Sequence, residues 1–131
     1  MRLTREEIQE ALRERHTNQI QDRLEQGKVA EAGLGGLGAH VAFSPARIGV
    51  GHLHLIDFDR VDISNLNRQQ YLMRHIGMYK TAALKQELLE INPYLEIRTD
   101  CVRVTAANLD ELFRADEIVC EAFAVPEWKA M

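Results

Sequence analysis

Apolar residues in the first part of the chain recur at helical spacing. The segment 4–7, Thr-Arg-Glu-Glu, has the form of a capping box, in which a threonine and a glutamate three residues later satisfy the free N–H groups of a helix start. Ile8 and Leu12 then lie on one face, and Ile20 and Leu24 repeat the spacing. The pattern predicts two amphipathic helices within residues 1–27.

From residue 28 onwards the pattern changes to short apolar runs that alternate with helical segments. The predicted strands are 29–32, 52–57, 95–99 and 117–121. One predicted helix ends near residue 48, and two others span 80–91 and 109–114. Strands that alternate with helices indicate parallel βαβ units. We therefore predict an α/β fold, Rossmann-like and doubly wound, with a mostly parallel sheet behind N-terminal helices. The chain ends soon after the fourth strand, so we expect it to be truncated.

Composition narrows the class of protein. The chain has 131 residues, enough for one domain, with 46% hydrophobic and 27% charged residues. Its net charge of -4 disfavours non-specific nucleic-acid binding. No apolar run approaches the roughly 20 residues that a membrane helix needs, and the charged N-terminus does not resemble a signal peptide. Cys101 and Cys120 lie too far apart for a Cys-x-x-Cys pair. We expect a cytoplasmic protein without nucleic-acid or membrane partners.

A glycine-rich turn follows the first predicted strand. The run 33–38, Gly-Leu-Gly-Gly-Leu-Gly, fits the G-x-G-x-x-G pattern of nucleotide-binding turns and carries Gly36 as an extra glycine. We expect Gly33 to allow the tight turn, Gly35 to let a phosphate approach the backbone, and Gly38 to allow close packing of helix on strand. Asp57 ends the next strand, where an acidic residue accepts hydrogen bonds from ribose hydroxyls.

A polar segment after Asp57 separates this chain from dinucleotide dehydrogenases. The glycine turn, the Asp-Phe-Asp of 57–59, the Ser-Asn-Leu-Asn-Arg-Gln of 64–69 and Lys80 together resemble the ThiF/MoeB/ubiquitin-activating enzyme superfamily. The resemblance covers about residues 28–124. The segment 15–17, Arg-His-Thr, further resembles the short bacterial ThiF-like subgroup, the adenylyltransferases of the sulfur carrier ThiS.

The charges of this segment suit a triphosphate. When a carboxylate attacks the α-phosphate of ATP and expels pyrophosphate, the site must balance several negative charges, which is done by electrostatic stabilisation. Arg68 offers a bidentate fork, Lys80 a point charge, and Asn65 and Gln69 further donors. A lysine at a helix start interacts unfavourably with the positive end of the helix dipole. A bound phosphate would make a positive charge at this position favourable.

The resemblance implies a set of roles for these residues. Asp57 would hold the ribose, while Asn65, Arg68, Gln69 and Lys80 would surround the phosphates as catalytic or binding groups. ATP with Mg²⁺ would adenylate the C-terminal glycine of a ubiquitin-like, ThiS-like sulfur carrier in thiamin biosynthesis. The resemblance also implies a homodimer, joined through the N-terminal helices and the segment near Arg68, and residues 28–131 would form the ATP-binding domain after the helices of 1–27.

Several positions depart from that family pattern. Ala124 stands where the pattern places a magnesium-binding aspartate, and Glu121 lies three residues earlier. We expect a chain that binds ATP but adenylates poorly. Pro45 predicts a kink or an early end of the helix after the glycines, because proline removes an N–H and crowds the preceding turn. Glu31 is unexpected in a central strand, since an unpaired buried carboxylate is unfavourable.

Two other functions fit parts of the pattern. A non-catalytic nucleotide-binding or dimerisation scaffold would agree with Ala124, and an NAD-dependent oxidoreductase would explain the residues up to Asp57. The histidines lack metal-binding spacing, so His52 and His54 are expected to pack or to face solvent.

Overall fold

The computed structural model describes residues 3–14, 18–67 and 69–123. The strands are β1 Lys28–Ala32, β2 His52–Ile56, β3 Glu96–Asp100 and β4 Ile118–Glu121. The helices are α1 Arg5–Arg13, α2 Asn18–Gln26, α3 Gly36–Ile48, α4 Lys80–Ile91 and α5 Leu109–Phe113. Two short 3-10 turns, Ile63–Asn65 and Met73–His75, lie between β2 and α4. Every predicted strand and helix is present, with bounds that differ by a few residues at most.

The four strands form one parallel sheet in the order β3-β2-β1-β4. The chain runs outward from β1 to β3 and then returns to place β4 on the other side of β1. The reversal point therefore lies between the carboxyl ends of β1 and β4, where ligands of open α/β sheets bind. The Rossmann-like prediction is confirmed.

Helices cover both faces of the sheet, as a doubly wound fold requires. On one face, α3 and α4 bury alanine and leucine side chains against β2, with Leu55 and Leu84 fully buried. On the other face, α5 places Leu112 against Ala30 and Ile56. Burial of these apolar side chains from water holds the sheet between its helices.

The two N-terminal helices are present as predicted. Thr4 and Glu7 form the expected capping box, in which each side chain accepts the backbone N–H of the other. The end of α2 lies against the start of β2, since a Cβ at Gly51 would come within 1.9 Å of the carbonyl oxygen of Glu25. No helix among the described residues is long and apolar enough to cross a membrane.

Of the two outcomes predicted at Pro45, a kink or an early end of α3, the early end is wrong, because the helix continues to Ile48. Pro45 lies in the last turn, where its own carbonyl oxygen accepts the N–H groups of Gly49 and Val50. Gly49 has a φ of 105°, the left-handed conformation that ends many helices. Proline therefore removes one hydrogen bond of α3 without ending it.

Candidate nucleotide-binding site

The turn between β1 and α3 needs glycine at two positions. Gly33 has a φ of 93°, and a Cβ there would lie 2.8 Å from the backbone carbon of Ala122. A Cβ at Gly38 would lie 1.7 Å from the carbonyl oxygen of Gly33. The roles predicted for both glycines, a tight turn and a close approach of helix to strand, are confirmed.

The start of α3 is open to an anion. Gly35 is the N-cap residue and offers no side-chain hydrogen bond, and the first turn, which includes Gly36, has no acidic residue. A Cβ at Gly35 would meet only the side-chain nitrogen of Gln69, at 3.7 Å. The first N–H groups of a helix have no partner within the helix and lie at the positive end of its dipole. This end of α3 therefore suits phosphate.

Asp57, directly after β2, ties the two neighbouring loops together. Its Oδ2 accepts the backbone N–H of Leu34 at 2.7 Å, and its Oδ1 accepts that of Asp59 at 2.8 Å. The side chain is buried. Each carboxylate oxygen has a second acceptor position, so a ribose hydroxyl could still be bound. The structure adds a role that the sequence did not indicate, which is to hold the glycine turn in place.

Tyr71 also holds this turn in place, a role that no sequence pattern indicated. Its hydroxyl donates a hydrogen bond to the carbonyl oxygen of Leu34, so both backbone groups of Leu34 bind a side chain from a later segment. Burial and the neighbouring charge of Asp57 raise the pKa of Tyr71 far above its ordinary value. Tyr71 therefore stays a neutral donor.

Asn65 and Gln69 lie in the polar segment that follows. The side-chain oxygen of Asn65 accepts the N–H of Asp62, and its backbone oxygen accepts the N–H of Gln69. The side chain of Gln69 reaches the glycine turn beside Gly35, and its buried Oε1 has no hydrogen-bond partner among the described residues. The structure thus brings Gln69 to the predicted site, while Asn65 acts first as a cap of its own turn.

Lys80 is the first residue of α4, as predicted, and only 6% of it is exposed. Its Nζ lies 4.0 Å from Oδ2 of Asp59, and its backbone N–H donates to the carbonyl oxygen of Asp59. Because Asp59 also binds Asp57, Lys80 is connected through these two acids to the glycine turn. Asp59 is thus the acidic partner of this buried side chain at the start of α4.

Arg68, the predicted catalytic arginine, lies outside the described part of the chain, as do Ala124 and the segment 15–17. Among the described residues, no group of three or more His, Cys, Asp or Glu side chains could hold a metal ion.

A second buried polar cluster lies away from this turn. His54 bridges two carboxylates, with Nδ1 at 2.8 Å from Asp116 and Nε2 at 2.6 Å from Asp100. It is therefore neither simply packed nor solvent-facing, whereas His52 is partly exposed and pairs with Glu96. Sequence spacing could not reveal this cluster, because its members come from three separate segments.

Comparison with known proteins agrees with this geometry. The sequence model of the ThiF family matches residues 6–125. The chain belongs to the ThiF family.

Two proteins of similar sequence are named as adenylyltransferases. The chain is 33% identical over 127 residues to a sulfur carrier protein adenylyltransferase of Thermus thermophilus, covering 93% of this chain and 47% of that protein. It is 35% identical over 102 residues to a probable molybdopterin-synthase adenylyltransferase of Porphyra purpurea, covering 77% of this chain and 27% of that protein. The chain thus spans about half or less of the length of these relatives.

Solved structures share the ThiF-family fold. The E. coli tRNA N6-threonylcarbamoyladenosine dehydratase, solved in complex with ATP, superposes with a TM-score of 0.88 over 99% of this chain and 55% of that chain. Its sequence identity is 23%, so this likeness concerns the fold alone.

Proposed function

We propose that this ThiF-family chain binds ATP and adenylates the C-terminal carboxylate of a ubiquitin-like sulfur carrier protein. A ThiS-like carrier, and with it thiamin biosynthesis, is the substrate class we favour. The Thermus thermophilus relative, named for sulfur carrier adenylylation, supports the reaction. The glycine turn and the uncapped start of α3 support the nucleotide.

One observation carries the proposal. The buried ammonium group of Lys80 lies at the carboxyl edge of the sheet and connects through Asp59 and Asp57 to the uncapped start of α3. Two positive helix ends and a lysine at one edge would balance the charge of a triphosphate. A dehydrogenase site would have no need of this lysine, so ATP is favoured over NAD.

The reaction follows from this arrangement of charge. The carrier carboxylate attacks the α-phosphorus of ATP, the bond from the α-phosphorus to the bridging oxygen breaks, and pyrophosphate leaves. Lys80, and Arg68 by its family position, would stabilise the charge that develops on the phosphate oxygens. Asp57 would accept hydrogen bonds from the ribose while it holds Leu34. Gln69 and Asn65 would orient the nucleotide.

Mg²⁺ is proposed only as a counterion that arrives with ATP. Mg²⁺ is commonly held by one or two carboxylates together with substrate phosphates. The described residues provide no metal-binding group of three, and Ala124 has no oxygen in its side chain. No protein-bound metal takes part in the proposed step, and we propose slow adenylation for this chain.

We further propose a homodimer in the cytoplasm. Exposed apolar side chains follow β2 in the polar segment near Arg68, and they would be buried by a second copy: Ile63, Leu72, Met73 and Ile76. Cys101 and Cys120 are both free thiols, which suits a reducing compartment. Light scattering at high protein concentration tests the dimer, and a monomer there would contradict it.

Calorimetry with MgATP tests the nucleotide site. Lys80→Met keeps the length of the buried side chain and removes its charge, so ATP affinity should fall about tenfold or more. Lys85→Met, on the same helix, is the matched control and should bind as the parent does. Equal affinity for all three proteins, or tighter binding of NAD than of ATP, would contradict the proposal.

Exchange of labelled pyrophosphate into ATP tests the reaction. With a ThiS-like carrier present, the parent should exchange slowly and Ala124→Asp should exchange faster. ATP binding without exchange in either protein would favour the alternative, a non-catalytic nucleotide-binding scaffold. Full exchange by the parent, unchanged in Ala124→Asp, would refute the effect assigned to Ala124.

A further inference from the structure

Glu31 is an acidic residue in the middle of the sheet, and the proposed reaction does not use it. It lies in β1, between neighbouring strands on both sides, and is 4% exposed. Burying a carboxylate without full hydrogen bonding is unfavourable. Glu31 is therefore a buried acid whose unfavourable position is not explained by the proposed reaction.

The carboxyl group of Glu31 lies beneath the first turn of α3. Its Oε1 would be 3.1 Å from a Cβ at Gly38, on the helix that begins at Gly35. The group is thus next to the same positive helix end that we propose for the ATP phosphates. A negative charge there would interact favourably with the helix dipole and unfavourably with a phosphate.

The surroundings of Glu31 keep this group neutral near pH 7. Burial is the main cause that raises its pKa to about 8, while a hydrogen bond with the Cys120 thiol opposes the rise and the charge of Glu121 adds to it. Oε1 itself has no partner among the described residues. Leu55, its partner on β2, and residues 36–39 of α3 carry no ionisable side chain.

We propose that Glu31 sets the charge beneath the phosphate-binding turn and thereby makes ATP affinity depend on pH. In its neutral form it leaves the start of α3 free for the phosphates. In its ionised form it places a fixed negative charge beneath them and weakens binding. Glu31 is a positioning residue in this sense, and the inference depends on the proposed ATP site.

Calorimetry at pH 7 and pH 9 separates this inference from the proposed function. The phosphates of ATP are already ionised above pH 7, so their own titration contributes little. From pH 7 to pH 9, ATP binding to the parent should weaken about fivefold. Glu31→Gln keeps the shape of the neutral carboxyl group, and its ATP affinity should change by less than about twofold over the same pH range.

Cys120→Ala is the control for the neighbouring thiol. ATP binding to Cys120→Ala should still depend on pH, but the change should move to higher pH, because the lost hydrogen bond with the thiol lowers the pKa of Glu31 in the parent. Persistence of the pH dependence in Glu31→Gln, or its movement to lower pH in Cys120→Ala, overturns the inference while leaving ATP binding in place. Absence of ATP binding by every protein at both pH values overturns the proposed function as well.

A second measurement needs no variant. By linkage, if ionised Glu31 weakens ATP binding, bound ATP must lower the acid dissociation constant of Glu31 by the same factor, which raises its pKa. Carbon-13 NMR of the parent labelled at glutamate side-chain carboxyl carbons reports this pKa without and with MgATP. A rise on binding supports the inference, and an unchanged or lower pKa overturns it.

Discussion

The backbone N–H of Leu34 donates a 2.7 Å hydrogen bond to Oδ2 of Asp57, which joins the loop after β1 to the loop after β2. The two residues are 23 positions apart in sequence, and both are buried. Asp57 therefore shapes the glycine turn through hydrogen bonds within the protein itself. Its structural contribution can be measured separately from its proposed contact with ribose.

Asp57→Asn should lower the stability of the free protein. If the amide places its oxygen toward Leu34, its NH₂ group faces the N–H of Asp59, and one buried donor loses its acceptor. We expect a loss of about 1–3 kcal/mol in the free energy of unfolding, measured by urea denaturation without ligand. Asp110→Asn, at the surface of α5, is the control and should change little. Parent-like stability of Asp57→Asn would show that the loops hold without this carboxylate.

Gly35→Ala and Gly38→Ala should have opposite consequences. Alanine at 38 would force its Cβ into the carbonyl oxygen of Gly33, so we expect a loss of about 3 kcal/mol or more in the free energy of unfolding. Alanine at 35 meets only an ordinary contact with Gln69 and should fold normally. Its methyl group would, however, occupy the space that we propose for phosphate.

Thermal denaturation and ATP titration of the two alanine variants check this contrast. A folded Gly35→Ala protein with parent-like ATP affinity would move the phosphate site away from this turn. A stable Gly38→Ala protein would contradict the close approach of α3 to Gly33.

His54→Leu should destabilise the fold, and His52→Leu should not. Leucine at 54 would leave Asp116 buried without its histidine partner, and breaking such a buried pair costs about 3 kcal/mol. His52 lies two residues away on the same face of β2, but it is 36% exposed, so its replacement should change stability by about 0.5 kcal/mol or less. Chemical denaturation at pH 7 compares the two. Equal losses would mean that the carboxylates around His54 contribute nothing specific.

Glu31 should make the free protein less stable as the pH rises. Its pKa of about 8 in the folded chain lies above the ordinary value of 4.5, so the folded state retains a proton that the unfolded state releases. The free energy of unfolding should therefore fall between pH 4.5 and pH 8 because of this group, and no further above pH 8.

The parent and Glu31→Gln, unfolded with urea at pH 5, 7 and 9, isolate this contribution. The stability advantage of the glutamine variant should grow from pH 5 to pH 7 and again to pH 9. A constant difference would mean that Glu31 has an ordinary pKa.

The sequence predicted the elements of the fold well, because each depends on local pattern. The apolar run of β2 and the helical spacing that includes Leu84 and Leu88 needed no knowledge of the rest of the chain. The early end of α3 predicted at Pro45 is wrong, because a proline in the last turn of a helix leaves few later hydrogen bonds to disturb.

The candidate site was predicted only in part. Gly33, Gly38 and Lys80 lie where the motifs placed them. The hydrogen bonds of Tyr71 and the second role of Asp57 depend on distances between loops that no sequence spacing encodes. The same reason explains why the partners of His54 were missed.

The strand order leaves this sheet with two unlike edges. Along β3, Glu96 and Arg98 place charges at the border, which discourages pairing with a foreign strand. In the described part of the chain, β4 pairs on one side only, and Ile118 and Val119 are 58% and 42% exposed there. The unpaired backbone groups of such a sheet edge can pair with a further strand, from the same polypeptide or from another molecule. A concentrated solution of this chain is therefore expected to aggregate from the β4 side first, and a charged residue at 118 should delay it.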